Sequence, residues 1–313
     1  RAALERLGPA TRGRWLACMP LFHVGGLSIL WRSVEFGGAV RLAQRFDVDA
    51  VALELGRGDI DGVSLVPTML SRLLEAYPDR RASPRLAAVL LGGAAAPDTL
   101  VERAIALGYP VCPTYGLTEA CSQVATAAPP VPGATCASPM RPIAGTQLRI
   151  VTDLGEEAAP GVPGGIEVRG PTVMQGYLHD AEATARVLRD GWLSTGDVGE
   201  IGDDGGLRVL DRRDDLIVTG GENVYPAEVE AVLLAHPEVV DAGVAGLPDA
   251  DLGARVVAWL VARPGAAVDE DALRRHCRIH LAGFKQPREF RFVASVPRNA
   301  AGKLERWRLV AAR

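Results

Sequence analysis

The sequence predicts an α/β protein: a parallel sheet flanked by helices, then a small β-barrel, then a small α+β domain at the C-terminal end. Three observations carry this. Apolar runs of strand length alternate with helical patterns up to about residue 128, as in successive β-α units of a parallel sheet. A stretch rich in proline and small residues over 129–142 then gives way to short alternating strands. Further on, the charge run Asp211-Arg212-Arg213-Asp214-Asp215 separates those strands from a block that mixes helices and strands. The expected boundaries are therefore 1–128, 129–211 and 212–313.

Taken in order, Trp15 to Pro20 reads as a buried strand and Leu21-Phe22-His23-Val24-Gly25-Gly26 as the turn entering a helix. Leu27, Leu30 and Trp31 recur at helical spacing, and Leu27 and Leu30 are expected to face the core. Arg32, on the same helix, is either a solvated residue or one that points inward. His23 falls at the carboxyl end of a strand, the edge where open α/β sheets bind ligands. Asp61 to Val66 reads as a strand and Pro67 to Ala76 as a helix, with Pro67 in its first turn and Met69, Leu70, Leu73 and Leu74 on one face. The unit repeats in type: strand Leu86 to Leu91, the tight loop Gly92 to Ala96, and a helix from Pro97 to Leu107 stopped at Gly108. Gly93, Ala94 and Ala95 are small enough to let a flat group approach the backbone.

Pro113-Thr114-Tyr115-Gly116-Leu117-Thr118-Glu119 closes an apolar strand and opens a polar turn. An aromatic face, a flexible glycine, a hydroxyl and a carboxylate within five residues suit stacking, tight turning and the meeting of a phosphate through Mg²⁺. Short strands follow at 147–152 and 166–169, with Gly155 and the run 159–165 as turns. Asp197 follows a turn built by Ser194 to Gly196. Gly220-Gly221-Glu222-Asn223 leads to a helix with Pro226 in its first turn, and strands follow at 239–245 and 256–261. Leu273, Cys277, His280 and Leu281 lie at helical spacing. That spacing explains Cys277 better than a zinc site with His276 and His280, because no second ligand cluster exists.

The composition narrows the function classes. A chain of 313 residues with 48% hydrophobic content can bury more than one core. Its net charge of −4 and pI near 5.8 provide no basic field for nucleic acid. Five widely spaced cysteines favour reduced thiols and a cytoplasmic location. No run of about 18 apolar residues exists, so membrane insertion is not expected. A homo-oligomer is compatible with the sequence.

Five turns in fixed order carry a resemblance: Tyr115 to Glu119, Gly191 to Asp197, Asp211 to Asp215, Gly220 to Asn223, and Asn299-Ala300-Ala301-Gly302-Lys303. Together they resemble the adenylate-forming superfamily of acyl-CoA synthetases, luciferases and peptide-synthetase adenylation domains. The resemblance implies a ligase that uses ATP, Mg²⁺, coenzyme A and a small carboxylic acid, with a C-terminal domain that rotates. It implies that Lys303 bridges the carboxylate and α-phosphate, and that Thr118 and Glu119 meet the phosphates, Glu119 through Mg²⁺. Gly93, Ala94, Ala95, Tyr115 and Gly116 would receive the adenine, and Asp197 and Arg212 the ribose. Asp214 would be the pivot, Gly220, Gly221 and Glu222 would line the coenzyme A tunnel, and His23 would gate the acyl pocket.

Around Leu27-Ser28, Trp31-Arg32-Ser33 and Tyr115 to Val124 the chain is similar to o-succinylbenzoate-CoA ligases of menaquinone synthesis, where a basic residue serves the acid's second carboxylate. Arg32 and Ser33 are accordingly acyl-pocket candidates. A synthetase for another acid, or a nucleotide-binding fragment without catalysis, are the alternatives. The Ser/Thr/Gly-rich, lysine-containing loop by which this superfamily grips the β- and γ-phosphates is not found in the sequence. The resemblance places that loop before Arg1 and so implies that the N-terminal portion is missing.

Overall fold

The computed structural model of the chain describes residues 2–131, 133–265, 268–300 and 302–311; Pro132 of the proline-rich stretch and Ala301 of the lysine loop lie outside them. The fold is mixed α/β. It divides into two compact units, Arg1–Val209 and Leu210–Arg313.

In the first unit, strands β1 (Arg14–Ala17), β2 (Ala39–Leu42), β3 (Gly62–Leu65), β4 (Ala88–Leu91), β5 (Val111–Leu117), β6 (Ser122–Thr126) and β7 (Arg141–Pro142) form one sheet. Its order is β2-β1-β3-β4-β5-β6-β7. The pairings from β2 to β5 are parallel, whereas β6 and β7 join antiparallel. Helices α1 (Ala2–Leu7), α2 (Val24–Phe36), α3 (Val48–Gly56), α4 (Pro67–Ala76) and α5 (Asp98–Ala106) connect and precede these strands. Strand side chains alternate between faces, and two cores result. Leu16, Val63, Val89 and Val111 pack with residues of α3, α4 and α5, while Trp15, Ala17, Leu90 and Cys112 pack with Leu7 of α1 and Ile29 of α2.

One expected face is corrected here. On α2 the residues turned inward are Gly26, Ile29, Arg32 and Ser33, whereas Leu27 is 40% and Trp31 68% exposed. The cause is Gly26, where a Cβ would come within 2.3 Å of the Pro20 carbonyl oxygen. The helix therefore lies against the chain at this glycine, and its bulky apolar residues are rotated away.

The second sheet of this unit holds β8 (Gln147–Val151), β9 (Gly164–Arg169), β10 (Leu188–Arg189) and β11 (Trp192–Ile201), in the order β10-β11-β9-β8, with β12 (Leu207–Arg212) also paired to β11. The resolved registers are antiparallel. Helix α6 (Ala181–Val187), N-capped by Asp180, precedes β10. Residues 194–196, expected as a turn, are instead a bulge inside β11: the register shifts between Ser194 and Val198, and Gly196 takes a φ of 75°.

The chain passes into the second unit within β12. Here β13 (Ile217–Thr219), β14 (Glu222–Val224), β15 (Val239–Asp249), β16 (Gly253–Ala262) and β17 (Glu289–Phe292) form a sheet ordered β14-β13-β16-β15, with β17 parallel to β16. Helices α7 (Pro226–Leu234), α8 (Glu270–His280) and α9 (Arg306–Ala311) complete it. Val229, Leu233, Leu273 and Cys277 pack on the β15–β16 hairpin. His276, weighed above as a zinc ligand, instead bonds through Nε2 to the Val232 carbonyl at 2.8 Å. Among the described residues no helix is long and apolar enough to cross a membrane.

Candidate active site

Because β1, β3, β4 and β5 are parallel, the turns that follow them open on one edge of the sheet. The turn after β1 brings His23, half-buried at the N-cap of α2 with its ring 4.6 Å from that of Phe22. The loop after β4 exposes Gly93, Ala94 and Ala95, with Gly93 at a φ of 86°. After β5 comes the short 3-10 turn Thr118–Ala120, which carries Thr118 and Glu119. The chain then reverses into β6 through Cys121 and Ser122, both non-glycine residues at positive φ, 56° and 94°. Such conformations persist only where the surroundings over-determine them. Gly116 explains the constraint: a Cβ there would lie 1.7 Å from the Ser122 carbonyl oxygen, so the two arms of the hairpin touch backbone to backbone.

Two tyrosines tie the second sheet's segments to this edge. Tyr115, only 9% exposed, donates its hydroxyl to Asp197 Oδ2 at 2.6 Å. Asp197 is itself placed by the bulge: its N–H donates to the buried Thr195 hydroxyl, which donates to the Ile166 carbonyl. Tyr177 donates to Glu119 Oε1 at 2.9 Å, and the Met174 N–H donates to the Glu119 carbonyl at 2.7 Å. Tyr115, Glu119 and Asp197 are thus brought to one place, together with Tyr177, which sequence reading missed. Its signal was weak: a tyrosine after Gly176 in a segment without periodicity.

Arg32 of α2 is buried where the helix meets β1 and β6. It is 7% exposed, and its guanidinium carbon lies 4.1 Å from the centroid of the Trp15 ring. Nη1 donates to Gln123 Oε1 at 3.4 Å, while Nε and Nη2 find no hydrogen-bond partner among the described residues. Burial lowers its pKa to about 10, which still leaves it cationic at neutral pH. Gln123 is held in turn by a polar ladder on the β5–β6 hairpin, donating to the Thr126 hydroxyl at 2.8 Å, with the Thr114 hydroxyl a further 2.8 Å away. Ser33 beside it is 6% exposed. Gln123, also missed, stands in a strand, Ser122–Thr126, that mixes polar and apolar residues, so nothing in its surroundings singled it out.

The donor set near Thr118 and Glu119 is all oxygen: one carboxylate and one hydroxyl. This suits Mg²⁺, which takes few protein carboxylates and completes its shell with water and substrate phosphates.

The second unit carries the remaining candidates. Arg212 and Asp214 are exposed, the latter in the 3-10 turn Arg213–Asp215. Gly220 and Gly221, at φ of 58° and 84°, are the two-residue turn of the β13–β14 hairpin, where positive φ at both positions favours glycine. Glu222 opens β14 and is exposed. Lys303 is half-buried, and its N–H donates to Asn299 Oδ1 at 3.0 Å.

Comparison with known proteins shows the family and the fold. Residues 2–178 match the family described as AMP-binding enzyme, and residues 228–303 match the AMP-binding enzyme C-terminal domain. The chain is 46% identical over 303 residues to the 2-succinylbenzoate–CoA ligase of Bacillus licheniformis, covering 97% of this chain and 62% of that protein. Its fold matches the o-succinylbenzoate CoA synthetase of Bacillus subtilis, solved with the acyl-adenylate intermediate, at a TM-score of 0.88 and 40% identity over 100% of this chain and 63% of that one. The amide bond synthetase McbA of Marinactinospora thermotolerans is similar at a TM-score of 0.89 and 35% identity, over 98% of this chain and 64% of that one. The chain thus spans somewhat under two thirds of the length of these relatives.

Proposed function

The chain belongs to the AMP-binding enzyme family, and we propose that it serves the ATP-dependent joining of o-succinylbenzoate to coenzyme A through an acyl-adenylate, a step of menaquinone synthesis. The observation that carries the choice of acid is Arg32. A buried guanidinium with two nitrogens, Nε and Nη2, unpartnered among the described residues is costly, and an anion seated against it offsets that cost. A monocarboxylic acid spends its one carboxylate on the reaction; o-succinylbenzoate keeps a second for Arg32. The similarity to ligases and synthetases of this acid supports the same choice.

The chemistry has two steps. A carboxylate oxygen of the acid bonds to the α-phosphorus of ATP and the bond to pyrophosphate breaks. The thiol sulfur of coenzyme A then bonds to the acyl carbon, the carbon–oxygen bond to AMP breaks, and the thiol proton is lost to solvent. In this reading Gly93 to Ala95 border the adenine, and Tyr115 orients Asp197 for the ribose hydroxyls. Thr118 donates to phosphate oxygens, and Glu119, oriented by Tyr177, is the residue that would hold Mg²⁺, whose bound charge offsets that of the phosphates. Lys303 supplies positive charge to the first step, Gly220, Gly221 and Glu222 serve coenzyme A in the second, and His23 borders the acyl group. Arg212 takes part in holding the nucleotide, and Asp214 is the pivot of the second unit. The net charge of −4 supports small molecules, not nucleic acid, as partners, and the free cysteines support a cytoplasmic location.

Isotope transfer tests this. With the carboxylates of o-succinylbenzoate labelled with ¹⁸O, AMP formed in the presence of ATP, Mg²⁺ and coenzyme A should carry one labelled oxygen. Unlabelled AMP, or release of ADP with labelled phosphate, would overturn the acyl-adenylate route.

A further inference from the structure

The second unit contains a group of charges that the chemistry above does not use. Arg306, the first residue of α9, is 13% exposed and meets three carboxylates. Its Nη1 donates to Asp215 Oδ2 at 3.0 Å and lies 3.8 Å from Asp211 Oδ1; its Nη2 donates to both oxygens of Glu230, at 3.0 and 2.9 Å; its Nε donates to the Val244 carbonyl at 3.2 Å. All five N–H directions of a guanidinium are fixed in one plane, so this contact set specifies orientation as well as charge. Burial opposes the cation, but the three carboxylates outweigh it and its pKa is raised.

Each partner has its own place in the fold. Asp215 ends the 3-10 turn Arg213–Asp215 that contains Asp214. Asp211 accepts from the Arg212 and Ala227 N–H groups, tying the end of β12 to the first turn of α7. Glu230 lies on α7 and accepts from the Val244 N–H of β15. Three residues before Arg306 is Lys303, in a loop closed by the bridge Arg298↔Leu304. That loop has a second staple at its start: Arg298 donates to both oxygens of Asp241 on β15, at 3.2 and 2.7 Å, and to the Gly302 carbonyl at 3.0 Å. The loop bearing Lys303 is therefore clamped at both ends by arginines, and only the Arg306 clamp also holds the turn around Asp214.

We propose that Arg306 is a positioning residue that ties Asp215, the residue after the pivot, to the lysine loop, so that any movement at Asp214 carries Lys303 with it. The role assigned to Lys303 rests on the function proposed above; the clamp itself does not. Arg298 and Asp241 fix the loop's start alone.

Hydrogen exchange with half-reaction kinetics tests this on the chain, using Arg306→Lys, which keeps the charge but loses the fork, and Asp241→Asn as comparison. For Arg306→Lys the amides of Gly302, Lys303 and Leu216 should all exchange at least about tenfold faster while those of β15 and β16 do not change. For Asp241→Asn only the loop amides should accelerate. Exchange that rises throughout the second unit in Arg306→Lys, or a Leu216 amide that stays protected while Lys303 opens, would overturn the clamp. In the kinetic arm, adenylation kcat should fall about tenfold or more with KM for ATP unchanged, and thioester formation from supplied acyl-adenylate should stay within about twofold. Equal losses in both half-reactions would also overturn it. A wild-type chain that forms no adenylate would count against the proposed function, and the exchange arm would still decide the clamp.

Discussion

The Tyr115 hydroxyl donates to Asp197 Oδ2 at 2.6 Å, joining β5 of the parallel sheet to the bulge of β11. A hydrogen bond to an ionised group is worth about 1.5–3 kcal/mol. Its job here is to hold a carboxylate in the direction that two ribose hydroxyls require. Tyr115→Phe should weaken AMP binding about tenfold by calorimetry and lower Tm by about 3–12 °C. Unchanged affinity would mean that Asp197 is oriented by the bulge alone.

Gly116 is fixed by sterics. Gly116→Ala would put a Cβ 1.7 Å from the Ser122 carbonyl oxygen and force the hairpin apart, at a cost of at least about 3 kcal/mol. Gly283→Ala, whose Cβ would meet nothing within 4 Å, is the control and should change stability little. Denaturant unfolding of the two variants checks this, and equal midpoints would contradict it.

Thiol reactivity reports the core. Burial pushes Cys18 and Cys112 up to about 12 and Cys277 up to about 11, so at pH 8 these three are protonated as well as buried, while Cys121 and Cys136 are exposed. Titration with a disulfide reagent should therefore count two fast thiols in the native protein and five after denaturation. A third fast thiol would show that one of the cores opens.

Much of this fold was legible because its elements are locally consistent. Helix α4 runs from Pro67 to Ala76, as the proline and its apolar face predict, and β3, β4, β8 and β16 fall within two or three residues of the apolar runs that announce them. What escaped was decided by contacts distant in sequence. The inward face of α2 depends on the approach of Gly26 to Pro20, which no periodicity records. The β5–β6 reversal depends on Gly116 meeting Ser122. Within the site, residue types announced Glu119 and Asp197, but the tyrosines that orient them donate over 58 and 82 residues, Tyr177 to Glu119 and Tyr115 to Asp197. The same is true of Arg32: its charge could be read, whereas its burial beneath Trp15 could not.

Burial makes Arg32 a stability liability that a binding role would explain. Arg32→Met keeps similar bulk and removes the desolvated charge, and replacements of this kind are often neutral or stabilising by about 1–4 kcal/mol. Thermal melts of the unliganded protein should show Tm unchanged or raised. A clear fall in Tm would make Arg32 a structural residue.

The most direct test of the account is calorimetric titration of the chain with the adenylate of o-succinylbenzoate and with that of benzoate, for wild type and Arg32→Met. The wild type should hold the diacid adenylate about ten- to a hundredfold more tightly, as a charge-assisted contact of about 1.5–3 kcal/mol requires, and Arg32→Met should erase that difference while leaving the benzoyl-adenylate almost unaffected. Equal affinity of the wild type for the two adenylates, or equal losses on both in the variant, would contradict the pairing of Arg32 with a second carboxylate.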